Sequence, residues 1–255
     1  MVELKTRGEM EAMREAGRVV AQALAAVRAH AAVGVTLLEL DAVARDVIKG
    51  AGATSPFLGY QPHFAMSPFP GVICSSVNSA ALHGIPDGYR LADGDLVSID
   101  CGATLDGWTG DAAISFSVGT GRPADQHLIG TAFAALAAGI AAAVPGGRLG
   151  DVSAAVGAAG RAGGVGICSD FGGHGVGRKM HEDPHVPNEG RAGRGLRLRT
   201  GLVLAIEPWF LAGGVDEYVI DDDGWTVRSA DGSRAAHVEH TVAITDDGPW
   251  VLTEL

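Results

Sequence analysis

The sequence predicts an α+β domain built as two similar halves fused without a linker, with the functional site between them. Three observations point there. Paired helical patterns occur twice and each pair leads into strand patterns; apolar strand runs end in acids; and no Pro-, Ser- or charge-rich stretch divides the chain.

Met10, Met13, Val20, Leu24 and Val27 recur at helical spacing, with Glu9, Glu11, Arg14 and Arg18 off that stripe, so the first element is an amphipathic helix. A second helix starts at Thr36, where Glu39 three residues on completes a capping box. Its apolar face is Leu40, Val43, Ala44, Val47 and Ile48, and it fades at Gly50-Ala51-Gly52. A Pro- and aromatic-rich loop, Ser55–Pro70, precedes a short strand, Val72–Val77, and then a hairpin of Leu96–Ala103 and Thr109–Val118. The pattern then returns. Asp125–Val144 reads as a helix with the stripe Ile129, Phe133, Leu136 and Ile140; Pro145-Gly146-Gly147 ends it, and a shorter helix starts near Asp151. Gly34–Leu40 set against Gly146–Val152 matches small, Leu, acidic and apolar positions in register. That is a signal of internal duplication within a single domain, 1–255, with halves of about 1–120 and 121–255. The later strands are Leu202–Ile206, Tyr218–Ile220, Trp225–Arg228 and His237–Ile244.

With 255 residues, 47% of them hydrophobic, and 38 glycines, the chain can bury a sizeable core and make many tight turns. A net charge of -11 argues against nucleic acid as the main partner. The basic run Arg191, Arg194, Arg197 and Arg199 reads as a solvated loop. Cys74, Cys101 and Cys168 are odd in number and widely spaced, which suits a reducing compartment and no disulfide framework. Met1–Arg7 is charged and lacks the apolar core of a signal peptide. The longest apolar run, Leu128–Val144, falls short of the roughly 20 residues a bilayer needs, so a soluble cytoplasmic protein without membrane contact is expected.

Chemistry starts at Leu96–Asp111. As a strand, Leu96, Ser98 and Asp100 face one way and Val97, Ile99 and Cys101 the other. A carboxylate ending so apolar a run costs roughly several kcal/mol in lost hydration, which a divalent cation shared with Asp111 would offset. Glu207 repeats this at the end of Leu202–Ile206, and Glu239 precedes Thr241–Ile244. In Gly172-Gly173-His174-Gly175-Val176-Gly177, glycines crowd a histidine and let backbone approach a ligand closely. Taken singly, each of these residues reads as an ordinary solvated strand end or structural histidine. Together, Asp100, Asp111, Glu207 and Glu239 with neutral His174 balance two divalent ions. Oxygen-rich ligation with one imidazole suits Mn, Fe, Co or Zn, and two such ions about 3.5–4 Å apart activate a shared water for hydrolysis. His181-Glu182-Asp183-Pro184-His185 matches the single-zinc protease signature, but that motif needs a helix and Pro184 opposes one.

Leu82-His83-Gly84-Ile85-Pro86, Asp100 and Asp111 eleven apart, Gly173–Gly177 with His181–Pro184, Ile206-Glu207-Pro208 and Glu239-His240-Thr241 occur in the order seen in methionine aminopeptidases. The chain resembles the type I members over nearly its whole length, with no long insertion between Glu207 and Glu239 and no N-terminal extension or zinc-finger segment. The resemblance implies the pita-bread (creatinase/aminopeptidase-like) fold, two pseudo-symmetric halves around a dinuclear metal site. It also implies removal of the initiator methionine from nascent chains when the second residue is small. It makes Asp100, Asp111, His174, Glu207 and Glu239 the metal ligands, with Asp111 and Glu239 bridging, and Glu207 also the general base. It places His181 on the scissile carbonyl and His83 near the scissile nitrogen. Tyr60, Cys74 and Trp225 would line the methionine pocket. Met180 stands where relatives usually carry Phe, and Gln61–Pro70 is longer than in the simplest bacterial members, so Phe64 or Phe69 is a candidate to fill the space. The implied partners are the N-terminal Met of nascent polypeptides and, as a candidate, the ribosome, with the chain itself a monomer. Prolidases and Xaa-Pro aminopeptidases use the same ligands but usually carry a separate N-terminal domain, for which 255 residues leave no room. A binding module that has lost its metals is the other rival, and five intact ligands count against it.

Overall fold

Thr6 and Thr36 open their helices in the same way. Each hydroxyl accepts from the backbone N–H three residues on, and Glu9 or Glu39 accepts in return from the threonine's own N–H. The computed structural model describes residues 2–62 and 65–255. Within it α1 (Arg7–His30) buries the predicted stripe Met10, Met13, Val20, Leu24 and Val27. The second helix, α2 (Leu37–Gly50), buries Leu40, Ala44 and Ile48, while Val43 and Val47 are only partly covered.

Both helices cover a three-stranded antiparallel sheet of order β1 (Ile73–Val77), β3 (Leu96–Leu105), β4 (Trp108–Ser117). A three-residue strand, β2 (Ala80–Leu82), lies between β1 and β3 in sequence. The β3–β4 hairpin runs two residues further at its tip than predicted for β3. Asp106 and Gly107 turn it with φ of 50° and 77°, the pair of positive values a type I′ turn needs.

The second half begins with α3 (Pro123–Ala142) and α4 (Leu149–Ala162). One expectation fails here. Phe133 is 39% exposed, and the buried face is Leu128, Ala132, Ala135 and Gly139, flanked by Ile129 and Leu136. The reason is close packing: a methyl group at Gly139 would stand 2.7 Å from Val156 of α4, so small residues face the partner helix and the bulky Phe133 lies outside. Helix α4 also starts two residues before Asp151, whose carboxylate accepts from the Arg148 N–H at 2.7 Å and caps the first turn.

The strands β5 (Gly172–Gly175), β6 (Glu182–Pro187), β7 (Val203–Ile206), β8 (Trp209–Leu211), β9 (Tyr218–Ile220), β10 (Val227–Ser229), β11 (Ala235–His237), β12 (His240–Thr245) and β13 (Gly248–Val251) follow. They form a five-stranded sheet of order β13-β12-β7-β5-β6 and two small sheets, β2-β10-β9 and β11-β8. The strand expected over His237–Ile244 is two strands, broken at Val238-Glu239. Residues 182–187 are a strand, so His181 and His185 do not share a helix face and the single-zinc signature is inactive as such. Glycines explain how β5 fits in the sheet's interior: a side chain at Gly173 would collide with the Ala205 carbonyl of β7, and one at Gly175 with the Asp183 carbonyl of β6.

Each helix pair closes its own core. One cluster gathers α1, α2 and the three-stranded sheet around Val20, Leu40, Ile73 and Ile99; the other gathers α3, α4 and the large sheet around Leu136, Val152, Leu204 and Val242. Between them β4 meets the second half directly. Ala113 and Glu239 exchange backbone hydrogen bonds (2.9 and 3.3 Å), and the Thr241 hydroxyl donates to the Asp111 carbonyl (2.7 Å) and accepts from its N–H (3.0 Å). Among the described residues no helix is long and apolar enough to cross a membrane.

Candidate metal centre

The register brings the acids together. Asp100 pairs with Ala113 across β3–β4, and Ala113 pairs in turn with Glu239 in the break between β11 and β12, so Asp100, Ala113 and Glu239 form a row across three adjacent segments. Asp111 is two residues from Ala113 on the same face of β4, the diagonal neighbour of both acids. Glu207 leaves the end of β7, and His174 sits on β5 opposite Ala205. His174 Nε2 lies 3.6 Å from Glu207 Oε1 and 4.0 Å from Asp111 Oδ2.

Two triads in this cluster could each hold an ion: Asp111, His174 and Glu239, and Glu207, His237 and Glu239, with ligand atoms within 4.8 Å of one another. Glu239 belongs to both. His237 is the residue that sequence reasoning missed. It enters the sequence reading only as the start of the strand His237–Ile244, although residues two apart in extended chain share a face, so its spacing from Glu239 was the available signal.

The cluster is electrostatically unfinished. Asp100 Oδ1, Asp111 Oδ1 and Glu239 Oε1 are buried with no hydrogen-bond partner. The imidazoles of His174 and His237 lie within 4.0 Å of Asp111, Glu207 and Glu239 oxygens. Burial, then mutual repulsion, pushes the Asp111 and Glu239 carboxyls well above the usual range. Asp100 is raised by burial and by Glu207, against the pull of His237. For Glu207 burial also pushes upward, but His237, His174 and His181 bring it below its ordinary value. Orphaned carboxylate oxygens around an imidazole lone pair are the donor set a hard or borderline divalent cation takes, so these residues fit a metal site. His174 is oriented for it: the Gly175 carbonyl, 3.0 Å from Nδ1, can only accept, so Nδ1 carries the proton and Nε2 presents its lone pair.

A cavity of about 350 Å³ opens onto this cluster, and every residue predicted for the site lines it. Its apolar wall holds Tyr60, Cys74, Met180 and Trp225 together with Phe57 and Phe69. Phe69 stacks edge-on to Trp225 with centroids 5.1 Å apart; Phe64 lies outside the described residues. Burial and the neighbouring Asp100 and Asp111 push the Cys74 thiol up, so it remains protonated and acts as wall rather than nucleophile. His83 stands at the floor with φ 57°, its ring edge-on to Phe171 at 5.5 Å, and burial lowers it to about 4. His181 has solvent on one side yet lies 4.3 Å from the His174 ring. The surrounding protein, then His174, lower it to about 4 as well. Both rings are therefore neutral at pH 7. Asp170, Phe171 and His185 also line the cavity and were not among the expected residues.

The family model of metallopeptidase family M24 matches residues 11–246. The chain is 53% identical over 260 residues to Methionine aminopeptidase 1 of Mycobacterium tuberculosis, covering 99% of this chain and 95% of that one. The crystal structure of methionine aminopeptidase from Thermotoga maritima superposes with a TM-score of 0.94 at 38% identity, covering 100% of both chains. A prolidase from Pyrococcus furiosus shares the fold, with a TM-score of 0.77 at 23% identity, over 99% of this chain and 65% of that one.

Proposed function

The chain belongs to metallopeptidase family M24, and we propose that it removes N-terminal methionine from proteins and peptides whose second residue is small. The observation that carries this reading is the apolar cavity lined at one end by Asp100, Asp111, Glu207 and Glu239 with His174, of which Asp111, Glu239 and His174 are buried. A divalent metal belongs to this chemistry. In this reading Asp100, Asp111, His174, Glu207 and Glu239 would hold two ions drawn from Mn, Fe, Co or Zn, with Asp111 and Glu239 as the ligands common to both. Metal bound there would supply the chemistry that lowers the pKa of water and polarises the scissile carbonyl.

The chain's own residues supply the rest. Tyr60, Cys74, Met180, Phe69 and Trp225 enclose an unbranched apolar side chain and exclude water from it. Glu207 takes the proton of the attacking water as the new C–O bond forms, and that proton passes to the amine nitrogen as the C–N bond breaks. Neutral His181 donates an N–H to the carbonyl oxygen as negative charge grows on it. Neutral His83, held at the cavity floor, orients the scissile nitrogen. The substrates are nascent chains, which places the work in the cytoplasm beside the ribosome, with the enzyme acting as a monomer.

Hydrolysis of Met-Ala-Ser, Met-Leu-Ser and Ala-Pro-Ala with added Mn or Co tests the reading. Cleavage of the first alone is expected. Cleavage of Ala-Pro-Ala alone would make the chain a proline-directed peptidase, and no cleavage with any metal would leave a binding module.

A further inference from the structure

Glu207 stands between two imidazoles. Its Oε1 lies 3.6 Å from His174 Nε2 and its Oε2 lies 3.5 Å from His237 Nε2. The two contacts differ in kind. His174 is protonated on Nδ1 by its bond to Gly175, so its Nε2 and Glu207 Oε1 present lone pairs to one another across a gap that suits a cation. His237 Nε2 is buried and has no hydrogen-bond partner, and its side chain is 3% exposed. It lies nearer to Glu207 than to Glu239 Oε2, which is 3.9 Å away.

The backbone of His237 is fixed from the other half of the molecule. Its N–H donates to the Ser115 and Ser98 hydroxyls (2.9 and 3.2 Å), and its carbonyl accepts from Ser115 (2.7 Å). The ring therefore emerges from a rigid point, with Glu207 Oε2 the nearer of the two carboxylate oxygens within 4 Å of Nε2. Buried polar atoms are almost always satisfied, and a displacement of a few tenths of an ångström shortens this separation to that of an ordinary hydrogen bond.

We propose that His237 is a positioning residue whose Nε2–H donates to Glu207 Oε2, so that Glu207 faces its cation through Oε1 alone. A carboxylate with both oxygens free can bind an ion through one or through both. A donor fixed on the outer oxygen removes that choice and holds the other in one orientation toward His174. The inference rests on the reading of Glu207 as a metal ligand given above.

His237→Gln and His237→Met test it. The two side chains have similar volume, and only Gln can present an N–H. Binding of Co²⁺ is followed by calorimetry and by the visible absorption of the bound ion, without peptide, so the result stands whether or not Met-Ala-Ser proves to be a substrate. His237→Met is expected to lose about 10–100-fold in Co²⁺ affinity and in kcat, with KM little changed, while His237→Gln stays within about fivefold of wild type and keeps its Co²⁺ spectrum. If the two variants behave alike, the proposal falls: both normal means no role, and both impaired means that the imidazole ligates directly or only packs. A changed Co²⁺ spectrum in His237→Gln would also overturn it, even if His237→Met fails to fold.

Discussion

Replacing Asp111 by Asn should separate the two opposing things that its carboxylate does. In the metal-free protein it is one of four acids crowded into a buried site, raised by burial and by Asp100 and Glu207, with Oδ1 unpartnered. Asn removes a charge, can donate to Asp100, and leaves the backbone bonds of residue 111 to Thr241 intact. The metal-free variant should therefore melt at or above the wild-type temperature. With metal the order reverses. At a free Mn²⁺ concentration a hundredfold above Kd, binding to the native state alone adds about 2.7 kcal/mol, and at ~2–4 °C per kcal/mol for a domain of this size the wild type should gain about 5–11 °C. Asp111→Asn, deprived of the anion that touches both halves of the site, should gain less than ~2 °C under the same conditions. Differential scanning fluorimetry with and without Mn²⁺, after chelation, reads both numbers. A variant that keeps the full wild-type gain, or whose metal-free form melts several degrees low, would refute the view of Asp111 as a metal-paired acid.

Trp225→Ala opens the cavity wall where the indole packs on Phe69 and donates to the Ser67 carbonyl at 3.0 Å; kcat/KM for Met-Ala-Ser should fall about 10–200-fold, with Co²⁺ affinity unchanged, as steady-state kinetics and calorimetry would show. Gly17→Ala places a methyl group against the Leu252 carbonyl and should cost about 1–3 kcal/mol in urea unfolding, whereas Gly130→Ala, in α3 with nothing within 4 Å of the new methyl, should stabilise by about 0.4–1 kcal/mol. Buried Lys5 donates to Glu182 at 2.6 Å, and although burial pushes the Glu182 carboxyl up, that bond and the Lys179 N–H bring it below its ordinary value. A carboxyl lowered in the folded state stabilises above its unfolded pKa of about 4.3 and stops doing so as pH falls through its folded value. Melting temperatures from pH 7 to pH 3 should therefore fall less steeply in Lys5→Met than in wild type, and parallel curves would exclude the contribution.

The sequence made the local rules visible and hid those that act between distant segments. Thr6 and Thr36 carry their capping partners three residues away, so the start of α2 at Thr36 can be read directly, and Asp106-Gly107 announces its own turn. Asp100 and Glu207 stand out because an acid closing an apolar strand is locally expensive. By contrast β5 is Gly172-Gly173-His174-Gly175, with nothing of a strand in its composition; its conformation follows from Ala205 and Asp183 backbone pressing on either side, and no local pattern encodes that. Phe133 misled for a related reason. Hydrophobic periodicity weights the largest side chain, while the α3–α4 contact selects for the smallest ones. His237 escaped because its importance lies in a distance to Glu207, thirty residues earlier in the chain.

The proposed site straddles the meeting line of the two halves, and Asp111 and Glu239 lie on that line. Each half contributes acids from its own sheet, and the segments that carry Asp111 and Glu239 are hydrogen-bonded to each other through Ala113–Glu239 and Thr241–Asp111. In the row Asp100–Ala113–Glu239 the central residue must be small. Neighbouring strands are about 4.8 Å apart, so the outer acids start roughly 10 Å from one another and have to lean inward over position 113 to share ions. Ala113, 1% exposed, leaves that space, and a branched side chain there would fill it while every ligand remained in the sequence. The metal centre therefore depends on a residue with no ligating atom, and on the hydrogen bonds that hold one half's edge to the other, as much as on the acids themselves.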